Sequence, residues 1–418
     1  MTSKDAGSAT TEWRRHWPLV AASALGMSLA ALLSSVFGVM LEPLQQEFGW
    51  TRAQISSGPA IVSVMGLFLA TPAGYLIDRF GTRPCGIVVV LTSCAAIASM
   101  GAIGSLWHWW AAWALFGIAG AFTSTVWLAP VSTIFQNGRG LAIAVTVSGT
   151  GISTALAPGI AEYFVQNQGW RSGFLALAAL WCVPILPLIL AFVPRRARLE
   201  ARDSEQAARN VAPALTGLTP RQGFASPTLY LLFFASLLSA MTGVALVLNL
   251  VPVLTDSGLS RANAIAIIGS MGVASIIGRI CGGILIDRFD ARRIGIAAAL
   301  VSLGLPLALL LFPGNPSAAL FGVIAFGATG GVKMNAIVYL VSARLGTRSF
   351  GLFYSMISIT MSIAQGIGPL LANHVYDLTG SYRLVIWSLV PGFAGAALLL
   401  VALGSGRAAP SGDVVPSN

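Results

Sequence analysis

The sequence predicts an all-α, polytopic membrane protein with twelve transmembrane helices in two pseudo-symmetric bundles of six. Three observations predict it. Of the 418 residues, 56% are hydrophobic and only 9% are charged, too few charged side chains to cover the water-facing surface of a soluble protein. The apolar residues form segments of about 20 or more, the length that crosses a hydrocarbon core of about 30 Å. Finally, the two halves of the chain repeat each other.

Each apolar segment, taken in chain order, predicts one span. Residues 1–16 form a polar tail without the apolar core of a removable signal peptide. Segment 194–226 is the one polar break long enough for a linker, and it separates a bundle at 17–193 from a bundle at 227–404. Residues 405–418 are expected to be disordered. The predicted spans are 17–40, 55–77, 84–104, 107–135, 141–164, 173–193, 227–254, 262–286, 294–313, 317–342, 350–375 and 384–404.

The basic residues concentrate on one side of the predicted membrane. With the N-terminus in the cytoplasm, 18 Lys and Arg residues lie in cytoplasmic segments, and only Arg52, Arg171, Arg261 and Arg383 lie on the other side. This asymmetry follows the positive-inside rule and predicts cytoplasmic tails and a cytoplasmic linker in an inner-membrane protein. The net charge of +10 therefore reflects topology, and no nucleic-acid partner is expected.

The chain has few of the residues from which catalytic and metal sites are built. There are three histidines, and the four cysteines lie within or at the ends of predicted spans without a CxxC pair. We expect the cysteines to be packing residues. The sequence predicts no enzymatic site, no metal and no cofactor.

The internal repeat is carried by identical residues at a constant offset. The run from Leu76 to Phe80 recurs 209 positions later from Leu285 to Phe289, and Arg52 pairs with Arg261 at the same offset. Two copies of a six-span unit give a pseudo-twofold axis along the membrane normal. A solute site between such halves opens alternately to each side when the halves rock, which predicts secondary transport. The chain is expected to work as a monomer.

A loop motif gives the first family resemblance. The pattern Gly74-x-Leu76-x-Asp78-Arg79-x-Gly81-x-Arg83 resembles the motif of the major facilitator superfamily between its second and third spans. In that family the aspartate caps a neighbouring helix and pairs with an arginine to latch the outward-open state. The resemblance implies a conformational latch. Its predicted residues are Asp78, Arg79 and Arg83, with Asp287 and Arg288 in a weaker second copy; alternatively, these charges only anchor the topology.

A narrower resemblance lies in the fifth and eighth predicted spans. The pattern from Phe135 to Gly151 and the run Gly278-Arg279-x-x-Gly282-Gly283 are similar to signatures of monocarboxylate porters and oxalate/formate antiporters. In that branch an eighth-span arginine binds the substrate carboxylate, and Arg279 matches it. The chain has Ser275 where many such porters have aspartate, so the coupling mechanism cannot be copied across. The Gly and Ser residues of these patterns also suit helix packing.

Two cations lie deep in predicted spans. Arg279 precedes Asp287 by 8 residues and Lys333 precedes Arg344 by 11, which places them about 12 Å and 16 Å into the membrane. Each such cation costs at least about 2.5 kcal/mol, and none of the 14 acidic residues lies at this depth. A substrate anion would supply the missing charge. With Lys333 as the second cation, the pair suits a dianion, or a monoanion with one cation partly neutralised. Alternatively, Arg279 donates to backbone carbonyls or to a more distant carboxylate, and Lys333 extends to the membrane surface.

The predicted substrate site also contains five polar and aromatic residues at similar depth, each of which has packing as its alternative role: Trp127, Asn249, Asn335, Tyr354 and Gln365. Asn335 and Lys333 are two positions apart and face different sides of a helix, so at most one points into a central cavity.

Together these features predict a secondary transporter of a small organic anion, a mono- or dicarboxylate, by alternating access. Proton symport and anion exchange both stay open. One alternative is an exporter of a drug-like or metabolite compound, although cationic-drug exporters generally need the buried carboxylate that this chain lacks. The other is a non-transporting membrane receptor with the same fold.

Overall fold

Twelve helices in the described part of a computed structural model of the protein are long and apolar enough to cross a membrane. The structure describes residues 3–135, 138–194, 217–346 and 348–404, apart from the side chains of residues 3–9 and 287. Most of the predicted linker and the predicted C-terminal tail from 405 to 418 lie outside the described residues.

The twelve predicted spans all correspond to helices, in the predicted order. Spans 1 to 6 are Ser3–Phe48, Arg52–Phe80, Thr82–Met100, Leu106–Ile134, Arg139–Gln168 and Trp170–Phe192. Spans 7 to 12 are Pro227–Leu248, continued by Leu250–Asp256; Arg261–Arg288; Ala291–Ser302, continued by Gly304–Leu311; Pro316–Leu345; Phe350–Thr379; and Arg383–Ala402. A short helix, Pro220–Ala225, precedes span 7.

Span 1 begins at Ser3, within the segment predicted as a tail. Hydropathy marks only the apolar part of a helix, so it misses a polar extension that packs on the protein. Here the Glu12 carboxylate accepts a hydrogen bond from the Gly138 backbone, and the Trp13 ring packs on Phe135 at a centroid distance of 5.4 Å. These contacts hold the extension against the connection between spans 4 and 5.

Spans 5 and 8 bring the two halves into close backbone contact. A Cβ atom added to Gly272 would lie 2.3 Å from the Ala155 nitrogen, and one added to Gly151 would lie 2.5 Å from the Ile276 side chain. Spans 2 and 11 also pack together across the halves. Small residues permit such close approach between membrane helices.

The halves are joined by hydrogen bonds at the end of the molecule opposite the start of span 1 at Ser3 and the end of span 12 at Ala402; we call this the distal end. Arg261 of span 8 contacts Glu42 and Glu162, and Asp377 of span 11 accepts hydrogen bonds from the backbone of span 2. At the other, terminal end, no hydrogen bond joins the halves among the residues that the structure describes. The structure is therefore closed at its distal end.

Candidate functional site

Arg279 lies at the interface between the halves. Its stem packs on Gly331 of span 10, where an added Cβ would lie 2.1 Å from the Arg279 Cγ atom. Its Nη1 donates a hydrogen bond of 2.6 Å to the Val147 carbonyl of span 5, in the other half. The Nε atom is buried without a hydrogen bond, and Arg279 forms no ion pair with a carboxylate of the described residues. The side chain thus uses one backbone acceptor and keeps other donors free.

Lys333 lies inside the C-terminal half. Its Nζ atom donates a hydrogen bond of 2.8 Å to the Ser302 hydroxyl and lies 4.7 Å and 5.2 Å from the ring centroids of Phe393 and Phe326. Only 8% of the residue is exposed. Because Gly331 faces Arg279, a side chain two positions further along span 10 points to another face. The structure does not bring Lys333 and Arg279 together.

Trp127 and Asn249 are fully buried away from an open cavity. The Trp127 ring packs on span 1, where a Cβ added to Gly26 would lie 2.3 Å from it. Asn249 joins the two helical segments of span 7; it donates to the Ala245 carbonyl at 2.9 Å and accepts from the Asn373 amide at 2.7 Å. Trp127 is placed as a packing residue of the N-terminal half, and Asn249 belongs to a polar network at the distal end.

The remaining three predicted site residues have separate surroundings. Asn335 is exposed on span 10, and the Tyr354 ring stacks on Phe350 with a centroid distance of 5.7 Å. Gln365 of span 11 lines a cavity between the halves. Gln365 is the one predicted residue among the lining residues of this cavity.

The cavity has a volume of about 230 Å³ and lies among spans 1, 2, 4, 7 and 11. Trp113 and Phe116 form an aromatic wall, and none of the described residues that line the cavity is charged. Its hydroxyl-bearing lining residues are Ser34, Ser63, Thr123, Ser124 and Ser362. Sequence reasoning missed these residues because a serine facing a cavity and a serine facing a neighbouring helix look alike in an apolar segment.

The predicted latch residues lie at the terminal end. Asp78 is exposed and forms no hydrogen bond or ion pair within the described part of the chain. The Arg83 guanidinium donates to the Leu190 carbonyl, and Arg79 lies 5.5 Å from the Phe80 ring centroid. In the second copy Arg288 is exposed, and the Asp287 side chain lies outside the described residues. These contacts stay within one half.

Two arginines related by the internal repeat join the halves at the distal end. Arg261 donates from Nε to Glu162 at 2.7 Å, from Nη1 to Glu42 at 2.5 Å and from Nη2 to the Val39 carbonyl at 2.9 Å. Its repeat equivalent is Arg52, at the start of span 2.

Arg52 reaches the opposite way, from the N-terminal to the C-terminal half. Its Nη1 donates to the Tyr382 hydroxyl at 2.9 Å, and its guanidinium lies 3.7 Å from the Tyr376 ring centroid. Sequence reasoning did not predict these contacts between the halves. The repeat offset that pairs Arg52 with Arg261 is the signal that could have marked the two positions, but it does not specify their partners.

Comparison with known proteins agrees with this architecture. The family model described as Major Facilitator Superfamily matches residues 23–319 and 232–416. A gallate transporter of Pseudomonas putida is 27% identical, with 89% of this chain and 88% of that protein covered. Human monocarboxylate transporter 12 is 23% identical, with coverage of 88% and 76%.

Two solved structures share the fold. A D-xylose-proton symporter superimposes with a TM-score of 0.70 at 14% identity, covering 92% of this chain and 97% of that one. A bacterial homologue of the human lysosomal transporter Spinster, in an inward-facing conformation, gives 0.64 at 17% identity, covering 92% and 94%. The curated relatives are transporters and not enzymes, as the sequence predicts. The twelve-span fold, the repeat and the family match together show that the chain belongs to the Major Facilitator Superfamily.

Proposed function

We propose that this chain is a secondary transporter that moves a small organic anion across the cytoplasmic membrane by alternating access. The observation that carries the proposal is Arg279, a partly buried cation between the halves whose Nε atom is buried and which forms no ion pair with a described carboxylate. A cation at this depth costs at least about 2.5 kcal/mol, so an anionic ligand stabilises it. The planar guanidinium matches a carboxylate through two parallel hydrogen bonds.

The relatives support a carboxylate as the anion. One is named as a gallate transporter and several as monocarboxylate transporters. The sequence pattern around Arg279 resembles the same branch of the family. Lys333 is not needed for a single carboxylate, since its ammonium group faces Ser302 and two aromatic rings.

The position of Arg279 also suits alternating access. Its guanidinium contacts Val147 in the opposite half, so an anion bound by Arg279 would compete with a contact between the halves. Ligand binding would then change the free-energy difference between conformations, which is what transport requires. The charge asymmetry supports an orientation with both termini in the cytoplasm.

The test is uptake of labelled organic acids by proteoliposomes that contain the purified protein, with and without a pH gradient. We expect Arg279→Gln to weaken the apparent affinity for gallate or lactate about tenfold or more, because a charge-assisted hydrogen bond contributes about 1.5 to 3 kcal/mol. Arg279→Lys restores only part of it, since lysine lacks the planar fork.

Arg344→Gln is the matched control. Arg344 also donates to a backbone carbonyl, that of Gly404, but it lies at the terminal end within one half. Its replacement should leave affinity unchanged. Wild-type affinity in Arg279→Gln, with the wild-type protein active, would remove Arg279 from the site.

A further inference from the structure

Four polar side chains in the cavity between the halves have no hydrogen-bond partner in the part of the chain that the structure describes. The hydroxyls of Ser34, Ser124 and Ser362 and the amide of Gln365 form no hydrogen bond with the described residues. Serines in helices commonly donate to a carbonyl one turn back, as Ser35 does to Ala31 at 2.7 Å. The four groups therefore keep both donors and acceptors available at one cavity.

The shape of the cavity limits the ligand. A Cβ atom added to Gly66 or Gly120 would meet no atom within 4 Å, so these glycines leave flat, open wall. The Trp113 ring is fixed against span 2, where an added Cβ on Gly58 would lie 2.3 Å from it. A volume of about 230 Å³ is below the roughly 300 Å³ at which pockets for drug-sized ligands begin. The cavity suits a small, flat molecule.

The chemistry of the residues that line the cavity limits the class of ligand further. None of the described lining residues is charged, so the cavity provides no carboxylate to pair with a cationic group and no cation to pair with an anionic one. Hydroxyl and amide side chains both donate and accept hydrogen bonds, and so do the hydroxyl groups of a ligand. An aromatic wall favours a ring, which packs on tryptophan by offset or edge-to-face contact.

We propose that this cavity is the subsite for the uncharged body of the substrate, and that the body is a planar ring bearing hydroxyl groups. The inference rests on the proposed transport of an organic acid and deepens it. The carboxylate then finds its cation outside the cavity, where Arg279 is the candidate. A purely alkyl or unsubstituted ring would leave the four polar groups unpaired, so the subsite discriminates in favour of hydroxylated acids.

Competition between gallate and benzoate tests the inference, because the two differ in ring hydroxyls. In Gln365→Leu the preference for gallate over benzoate should fall at least about tenfold, and in Ser362→Ala by a smaller factor. Ser355→Ala is the matched control. Ser355 lies on the same helix, donates to the Gly351 carbonyl at 2.7 Å and does not line the cavity.

A second variant tests the location of the ring without depending on hydrogen bonds. Gly120→Val projects two methyl groups into the open space, and folding should tolerate it because the added Cβ contacts nothing. We expect it to abolish binding of gallate and benzoate while lactate is still transported. Ligand-induced thermal stabilisation of the purified protein provides a readout that does not depend on turnover.

The outcomes separate this inference from the proposed function. An unchanged gallate-to-benzoate ratio in Gln365→Leu, or normal binding of both ring acids in Gly120→Val, overturns the subsite while organic-acid transport stands. If the wild-type protein neither transports nor is stabilised by any of the three acids, the proposed function fails and the subsite fails with it.

Discussion

Arg279 and Lys333 are both basic residues within membrane spans, Arg279 partly buried and Lys333 buried, and their surroundings differ. Arg279 has a carbonyl from the opposite half and a free Nε, so its environment changes when the halves separate or a ligand binds. Lys333 has a hydroxyl and two ring faces, all from its own half. Each ring contact contributes about 0.5 to 2 kcal/mol, which offsets much of the cost of burial. The environment of Lys333 is thus complete without a ligand.

Replacement of Lys333 tests whether this residue has a structural role or binds the substrate. In Lys333→Met, Ser302 still donates to the Ala298 carbonyl at 2.8 Å, so no buried donor is left unpaired. We expect the melting temperature to stay the same or to rise, because an apolar side chain of similar volume replaces a buried cation. Affinities for lactate and succinate should change by the same factor. A selective loss of succinate, measured in parallel competition assays, would instead place Lys333 in the substrate site.

The positions of these two residues along their helices could be predicted from the sequence, because counting residues from a charged loop gives the axial position. Their partners could not, because Ser302 and Phe393 lie on other helices and the contact depends on helix rotation and packing. For Gln365 and Trp127, too, the sequence does not predict what surrounds the side chain. Both lie deep in apolar segments, yet one lines the cavity and the other is enclosed by glycines of neighbouring spans.

At the scale of helices, the starts of spans 2 and 8 occupy equivalent positions in the repeat, but their arginines contact different kinds of side chain. Thr51 and Ser260 cap the two helices, and the next residue in each case is an arginine that crosses to the other half. Arg261 forms ion pairs, whereas the Arg52 side chain contacts a phenol and an aromatic ring. The repeat predicted the equivalent positions, but the partners come from helices whose sequences have diverged.

The Arg261 ion pairs should contribute most to distal closure. Glu162 is largely buried, so Arg261→Gln leaves a carboxylate without its cation when the distal end closes. We expect the equilibrium to shift toward distal opening by about 1 to 2 kcal/mol, a factor of about 5 to 30, after allowance for the exposed Glu42. The measurement is the labelling rate of a cysteine introduced at Ser63 in the cavity, with a membrane-impermeant thiol reagent added at the distal side.

Arg171→Gln serves as the comparison for that experiment. Arg171 pairs with Glu47 at 2.5 Å, also at the distal end, but both residues belong to the N-terminal half. Its loss should not change labelling at the cavity. Equal rates in the two variants would mean that ion pairing between the halves does not hold the distal end closed.

For the whole molecule, the two ends differ in whether contacts join the halves. Hydrogen bonds join the halves at the distal end, while the predicted latch at Asp78 has no partner from the opposite half among the described residues. Alternating access needs two such states of similar free energy. A latch that is free here is expected to form its contacts when the terminal end closes.

Asp78→Asn tests that expectation. The variant should leave the distal-closed state unaffected, so ligand-induced thermal stabilisation stays at the wild-type level. Uptake should slow about tenfold, because the terminal-closed state loses a charged contact of about 1.4 kcal/mol or more. Normal uptake in this variant would indicate that the motif anchors topology and has no part in the conformational cycle.

Asp377 contributes to distal closure through hydrogen bonds to the backbone of span 2, which do not depend on the side chains of that span. Its two carboxylate oxygens accept hydrogen bonds from the backbone amides of Arg52 and Ala53, at 3.1 Å and 2.8 Å, where the start of a helix favours negative charge. Every residue except proline supplies such an amide. Substitutions at positions 52 and 53 can therefore accumulate during evolution without removing this contact, whereas a single change at Asp377 removes both bonds. The two halves of a duplicated protein can drift apart in sequence and still recognise each other at this point.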